Sequence, residues 1–133
     1  MEAALRNSVW ERAQAKCAYC RMPQHLDRLT FEVEHILPVK HGGAAALENL
    51  ALACFFCNRY KGPNLAGIDS ESGQVVTLFH PRREVWSEHF VWSEGTLKGL
   101  TPHARATIAV LRINDAARVA LRNLLFASGD FLG

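Results

Sequence analysis

The sequence predicts a small α+β domain assembled around a tetracysteine metal site. Three observations support it: paired Cys-x-x-Cys knuckles, a β-rich stretch between them, and helical periodicity at both ends of the chain. At 133 residues and 49% hydrophobic content, the chain is long enough for one real core and short for two ordinary domains, so a single domain over residues 1–133 is expected.

Leu5, Val9, Trp10 and Ala13 recur at helical spacing among charges, predicting an amphipathic helix over residues 3–15 that delivers the first knuckle. Leu29 to Leu37 is rich in β-formers (Thr30, Phe31, Val33, Ile36) and then meets Pro38 and His41-Gly42-Gly43, which reads as a strand entering a turn. Leu47 to Ala53 is short and apolar and ends at the second knuckle, after which Cys57 to Lys61 suggests a helical turn stopped by Gly62-Pro63. Gly67 to Gly73 reads as a polar turn before a strand at Val75 to Phe79, with the aromatic stretch Trp86 to Trp92 expected as a second hairpin strand. From Pro102 onward, apolar residues at helical spacing predict two helical segments broken near Asn114-Asp115.

Cys17-x-x-Cys20 and Cys54-x-x-Cys57 place four thiols as two knuckles able to close a tetrahedron around Zn²⁺. With no export signal or apolar stretch of membrane-spanning length, the expected location is cytoplasmic, where thiols stay reduced or bind metal rather than pair as disulfides. A redox Cys-x-x-Cys pair is the alternative, and it needs a thiolate free of metal. The formal charge of +2 is offset by the roughly −2 of a tetrathiolate zinc centre, so net charge says nothing about nucleic acid.

Between and beside the knuckles run Glu34-His35-Ile36-Leu37-Pro38, His41-Gly42-Gly43, Glu48-Asn49-Leu50 and Cys54-Phe55-Phe56-Cys57-Asn58-Arg59-Tyr60-Lys61-Gly62. In order and spacing this strongly resembles the HNH endonuclease family. The segments Leu78 to Arg83, Trp86, Glu88 to Phe90, Trp92 and Gly99 to Pro102 look like the tail of its small free-standing bacterial members. The resemblance implies a ββα-metal (His-Me finger) core over about residues 17–62 with a structural zinc, flanked by an N-terminal helix and a C-terminal hairpin and helices. It places His35 as general base, Asn49 as the middle asparagine and Asn58 at the final ligand position. Glu34 stands where the family more often has aspartate, and with Asn58 would hold a catalytic divalent ion, Mg²⁺ or Mn²⁺.

The chemistry of these residues agrees with those roles. Phosphodiester hydrolysis needs a deprotonated water and a cation against the charge developing on phosphate. A histidine can take the proton, and a carboxylate with an amide oxygen suits a hard ion. Neighbours on a regular strand face opposite ways, so Glu34 and His35 can converge on one point only if the strand ends near Glu34. Asn49 is then expected to brace the loop carrying His35, and His41 to be a turn residue.

Arg59, Lys61, Arg82 and Arg83 are the expected phosphate contacts, with His80 and Arg105 as weaker candidates. Trp86, Phe90 and Trp92 are expected in the core rather than stacked on bases. The expected partner is DNA, with RNA as an alternative substrate, no membrane, and a monomer or homodimer. The rival reading is a non-catalytic zinc-stabilised module that binds nucleic acid on the same scaffold.

Overall fold

Short elements that cannot bury an apolar face alone pack here around one shared core. The computed structural model describes residues 1–133. The elements, in chain order, are α1 (Ala3–Ala13), β1 (Glu32–His35), β2 (Leu50–Ala53), α2 (Phe55–Lys61), β3 (Ala66–Ile68), β4 (Val75–Thr77), α3 (Trp86–His89), β5 (Phe90–Ser93), β6 (Thr96–Gly99), α4 (Pro102–Val110) and α5 (Ala116–Ser128). The strands form three separate antiparallel pairs, β1 with β2, β3 with β4 and β5 with β6. No helix is long and apolar enough to cross a membrane.

The central unit is the β1–β2 hairpin with α2 behind it. Glu32, Val33, Glu34 and His35 face Ala53, Leu52, Ala51 and Leu50 in register. All four residues of β2 are buried, which explains the continuous apolar run in the sequence. The core joins Val9 of α1, the four cysteines, Tyr19 and Phe31 to Phe79, Phe90, Leu97, Leu111 and Ile113 from the second half of the chain.

Two expectations are corrected. The strand expected over Trp86 to Trp92 is a helical turn, α3, followed by β5, whose partner is β6 rather than β4. The turn lets the Trp86 indole N–H reach the carbonyl of Tyr19 at 2.8 Å while Phe90 packs on Phe79. The partner of β4 is β3, a strand hidden in Ala66-Gly67-Ile68 because it is only three residues long and two of them, Ala66 and Gly67, are weak β-formers. The C-terminal helices break where expected: Asn114 bonds both backbone groups of Leu97, and buried Arg122 ties Gly95 to Ile113.

Candidate metal and catalytic site

Each knuckle is shaped by its own backbone. In the first, the amide of Cys17 donates to Met22 (3.0 Å), that of Arg21 to Cys17 (3.0 Å), and that of Ala18 to Leu52, which fastens the knuckle to β2. In the second, Cys54 caps α2 and its sulfur accepts from the Cys57 amide at 3.4 Å.

All four sulfurs lie within 4.8 Å of one another and are buried, positioned to bind a metal ion. Cys20 and Cys54 sulfurs are 3.7 Å apart, close to the ~3.8 Å edge of a tetrahedron with 2.3 Å Zn–S bonds. Burial pushes the Cys17 and Cys57 thiols well above their ordinary range, whereas hydrogen bonds from the other three cysteines hold Cys20 well below it. A metal bound here would displace the thiol protons and hold the sulfurs as thiolates.

One residue here escaped the sequence reading. Arg118, on α5, donates to the Cys57 sulfur at 3.0 Å and approaches that of Cys54 at 3.7 Å, while also bonding the carbonyls of Leu111 and Arg112. Burial alone would favour the neutral guanidine, but the neighbouring cysteines outweigh it and raise its pKa. A fixed positive charge therefore stands against sulfurs that a bound metal would hold as thiolates. No local motif announces it, because the residue lies 61 positions from Cys57.

On the other side of α2 is the segment of β1 and the loop after it. His35 ends the strand, paired with Leu50, and the chain turns at Ile36, whose amide donates to the Asn49 carbonyl at 2.8 Å. The Asn49 amide accepts from the Leu37 N–H (2.8 Å) and donates to the carbonyls of Leu37 (3.0 Å) and Ala44 (3.0 Å), so one side chain closes the loop over residues 37–44. The glycines fit this closure. Gly42 has φ +88°, and a Cβ on Gly43 would collide with the Leu37 carbonyl and the Asn49 amide. His41 sits exposed in the 3₁₀ turn before them.

The structure separates Glu34 from His35. The strand stays regular through His35, one residue further than expected, so the two side chains take opposite faces. Glu34 is 6% exposed, with one carboxylate oxygen accepting from the Tyr19 hydroxyl and the other 3.0 Å from Lys61 Nζ. Burial raises its pKa above the ordinary value, opposed by Lys61 and Tyr19. The sequence places Glu34 at a catalytic ion beside His35; here both of its oxygens are engaged inside the core.

Lys61, expected at phosphate, is turned inward as well. It is 2% exposed, and besides Glu34 its ammonium donates to the carbonyls of Ile36 (2.9 Å) and His35 (3.3 Å), so it pins the bend after His35 from below instead of meeting phosphate. Asn58 lies one helical turn before Lys61, on a neighbouring part of the same helix surface. It is half-buried and engaged only through its backbone, which leaves its amide oxygen available. His35 is likewise half-buried and is bonded through its carbonyl rather than its ring.

The remaining expected phosphate contacts divide. Arg59, Arg82 and Arg83 are exposed. Arg105 is committed elsewhere, its guanidinium 2.6 Å from Asp69 and 3.2 Å from Glu71. The ring of His80 accepts from the amides of Arg82 (3.2 Å) and Arg83 (3.3 Å) and shapes their turn.

Comparison with known proteins adds three findings. Residues 17–64 match the model of the HNH endonuclease family. The chain is 27% identical over 134 aligned positions to the Septu protein PtuB of Bacillus thuringiensis, covering 92% of this chain and 49% of that protein, so it spans about half the length of the curated relative it matches. No solved structure matches.

Proposed function

We propose, from the match of residues 17–64 to the HNH endonuclease family, that this chain hydrolyses phosphodiester bonds in DNA with His35 as general base and a zinc in the tetracysteine site. The observation that carries the reading is the way His35 is held. Strand pairing with Leu50, Lys61 on its carbonyl and the Asn49 brace on the following loop fix its backbone, while its ring is left free to meet a water.

The tetracysteine sulfurs fit zinc, whose task is to join segments far apart in sequence into one rigid loop. For the catalytic ion, Asn58 offers one amide oxygen, with phosphate oxygens and waters completing the donors. Glu34 would join them only by abandoning Tyr19 and Lys61 and leaving a buried ammonium without its counter-charge, at a cost of several kcal/mol. We assign Glu34 instead to holding Lys61 under the His35 bend. A Mg²⁺ or Mn²⁺ ion bound beside Asn58 would supply positive charge against the charge developing on the phosphate.

His35 takes the proton of the attacking water, and Asn49 and Lys61 keep its strand end from drifting. Arg59, Arg82 and Arg83 are the exposed cations proposed to grip phosphate. The decisive assay is nicking of supercoiled plasmid in Mg²⁺, Mn²⁺ or EDTA. His35→Ala should lose about 10² to 10⁴ in rate while keeping zinc and DNA affinity. Asn58→Ala should need more divalent ion for the same rate. Wild-type protein that binds DNA and never cuts it with any divalent ion would make the domain a binding module.

A further inference from the structure

A cleft of about 180 Å³ opens between the end of α1, the first knuckle and the turn at Pro81, and Arg12, Lys16, Arg21 and Arg82 all line it. None of these four cations has a salt-bridge partner; the ion pairs of the protein involve Lys61, His89 and Arg105 instead. The one carboxylate on the wall, Glu84, is already engaged, one oxygen accepting from the His80 amide at 2.8 Å and the other 3.2 Å from His89 Nε2. Arg21 is more telling still. Its Nε is buried with no hydrogen-bond partner, and its guanidinium lies over the Trp86 ring at 5.2 Å, a contact that offsets part of the lost solvation but leaves the Nε–H unpaired.

We propose that this cleft binds a backbone phosphate of the nucleic acid, one other than the phosphate that is cut. Four cations lining one cleft, none of them in a salt bridge and facing a single carboxylate already engaged elsewhere, form a site for a multiply hydrogen-bonding anion, and arginine forks match phosphate oxygens in pairs. The cleft is also coupled to the cleavage segment. Arg12 donates to the carbonyls of Leu47 (2.9 Å) and Leu50 (2.6 Å), which flank Asn49, and Leu50 is the strand partner of His35. A strand lying across His35 would thus meet a second anchoring point tied to the same hairpin through Arg12. Burial, and after it the like charge of Arg82, lower the Arg12 pKa. Arg12, Lys16 and Arg21 carry no motif and were not among the residues the sequence singled out. The inference rests on the nuclease reading only for the identity of the polymer.

The test uses the zinc-loaded chain in a mild chelator that stops cleavage, with an end-labelled DNA duplex followed by fluorescence anisotropy across a salt series. Lys16→Gln with Arg82→Gln removes two exposed cations whose side chains hold nothing in the fold. It should weaken binding and flatten the dependence of log affinity on log salt by about 1 for each residue lost. Lys98→Gln, an exposed cation on β6, should leave the slope unchanged. A wild-type slope in the double variant, or no DNA binding by the wild type, overturns the proposal. Inorganic phosphate supplies the second arm: if it raises the Tm of the wild type but not of the double variant while the DNA slope is unaltered, the cleft serves free anions and the backbone assignment is wrong. Plasmid cleavage keeps the two readings apart. A flattened slope in a protein that never cuts sinks the nuclease reading alone, and an unaltered slope in one that does cut sinks the cleft alone.

Discussion

Replacing Asn49 tests how the loop after His35 is held. Its amide makes three hydrogen bonds of 2.8 to 3.0 Å, to both backbone groups of Leu37 and to the carbonyl of Ala44. Each such bond is worth ~0.5 to 1.5 kcal/mol net, and because Asn49 is half-buried, water can replace part of what is lost. Asn49→Ala should therefore cost about 2 kcal/mol, or roughly 6 to 10 °C in Tm for a chain of this size. Asn49→Asp is the sharper variant. It keeps the acceptor for the Leu37 N–H but sets an anionic oxygen against the two carbonyls that the amide now donates to, so it should be at least as damaging as alanine. Were Asn49 only a turn former, aspartate would serve almost as well. Thermal unfolding monitored by circular dichroism, with plasmid nicking beside it, reads both effects. An Asn49→Asp protein with wild-type Tm and wild-type cleavage would refute the brace.

Other expectations follow from the same geometry. Lys61→Ala leaves the Glu34 carboxylate buried without its cation and should destabilise by about 3 to 5 kcal/mol in a urea titration; unchanged stability with weakened DNA binding would return Lys61 to the phosphate contacts. Arg118→Gln removes the charge at Cys57 and should lower zinc affinity about 10- to 100-fold in competition with a chromogenic chelator; equal retention of zinc would show that the guanidinium only packs there. Asp69 is held well below the usual carboxylate range by hydrogen bonds from Arg105 and Ser72. Its stabilising contribution is thus present above the unfolded value near 3.8 and is lost as pH falls through that value toward the depressed one. Wild type should therefore exceed Asp69→Asn in stability at neutral pH by a margin that narrows below about pH 4, and a margin that widens in acid would contradict the assignment.

The metal site and the turn of this protein are local facts and could be read from the sequence. Cys-x-x-Cys fixes two thiols on one knuckle, Gly42-Gly43 meets a positive φ and a close approach, and Pro102 with the Asn114-Asp115 break marks the last helices. The apolar run Leu50 to Ala53 likewise announces a strand buried throughout. What the sequence leaves open is the partner of each charged side chain, because that depends on which distant segments the core brings together. Glu34 next to His35 reads as half of a metal site until a regular strand turns it inward to Tyr19 and Lys61, 15 and 27 positions away, the latter counted as 61 minus 34. Lys61 beside Asn58 reads as a phosphate contact until α2 docks and buries its ammonium under the His35 bend. Arg118 lies 61 positions from the sulfur it touches, and Arg12 lies 38 from the Leu50 carbonyl it holds. A charge taken out of water must find its counterpart wherever the fold supplies one, so burial, a property of the whole tertiary structure, decides whether each of these residues acts on a ligand or holds the protein together.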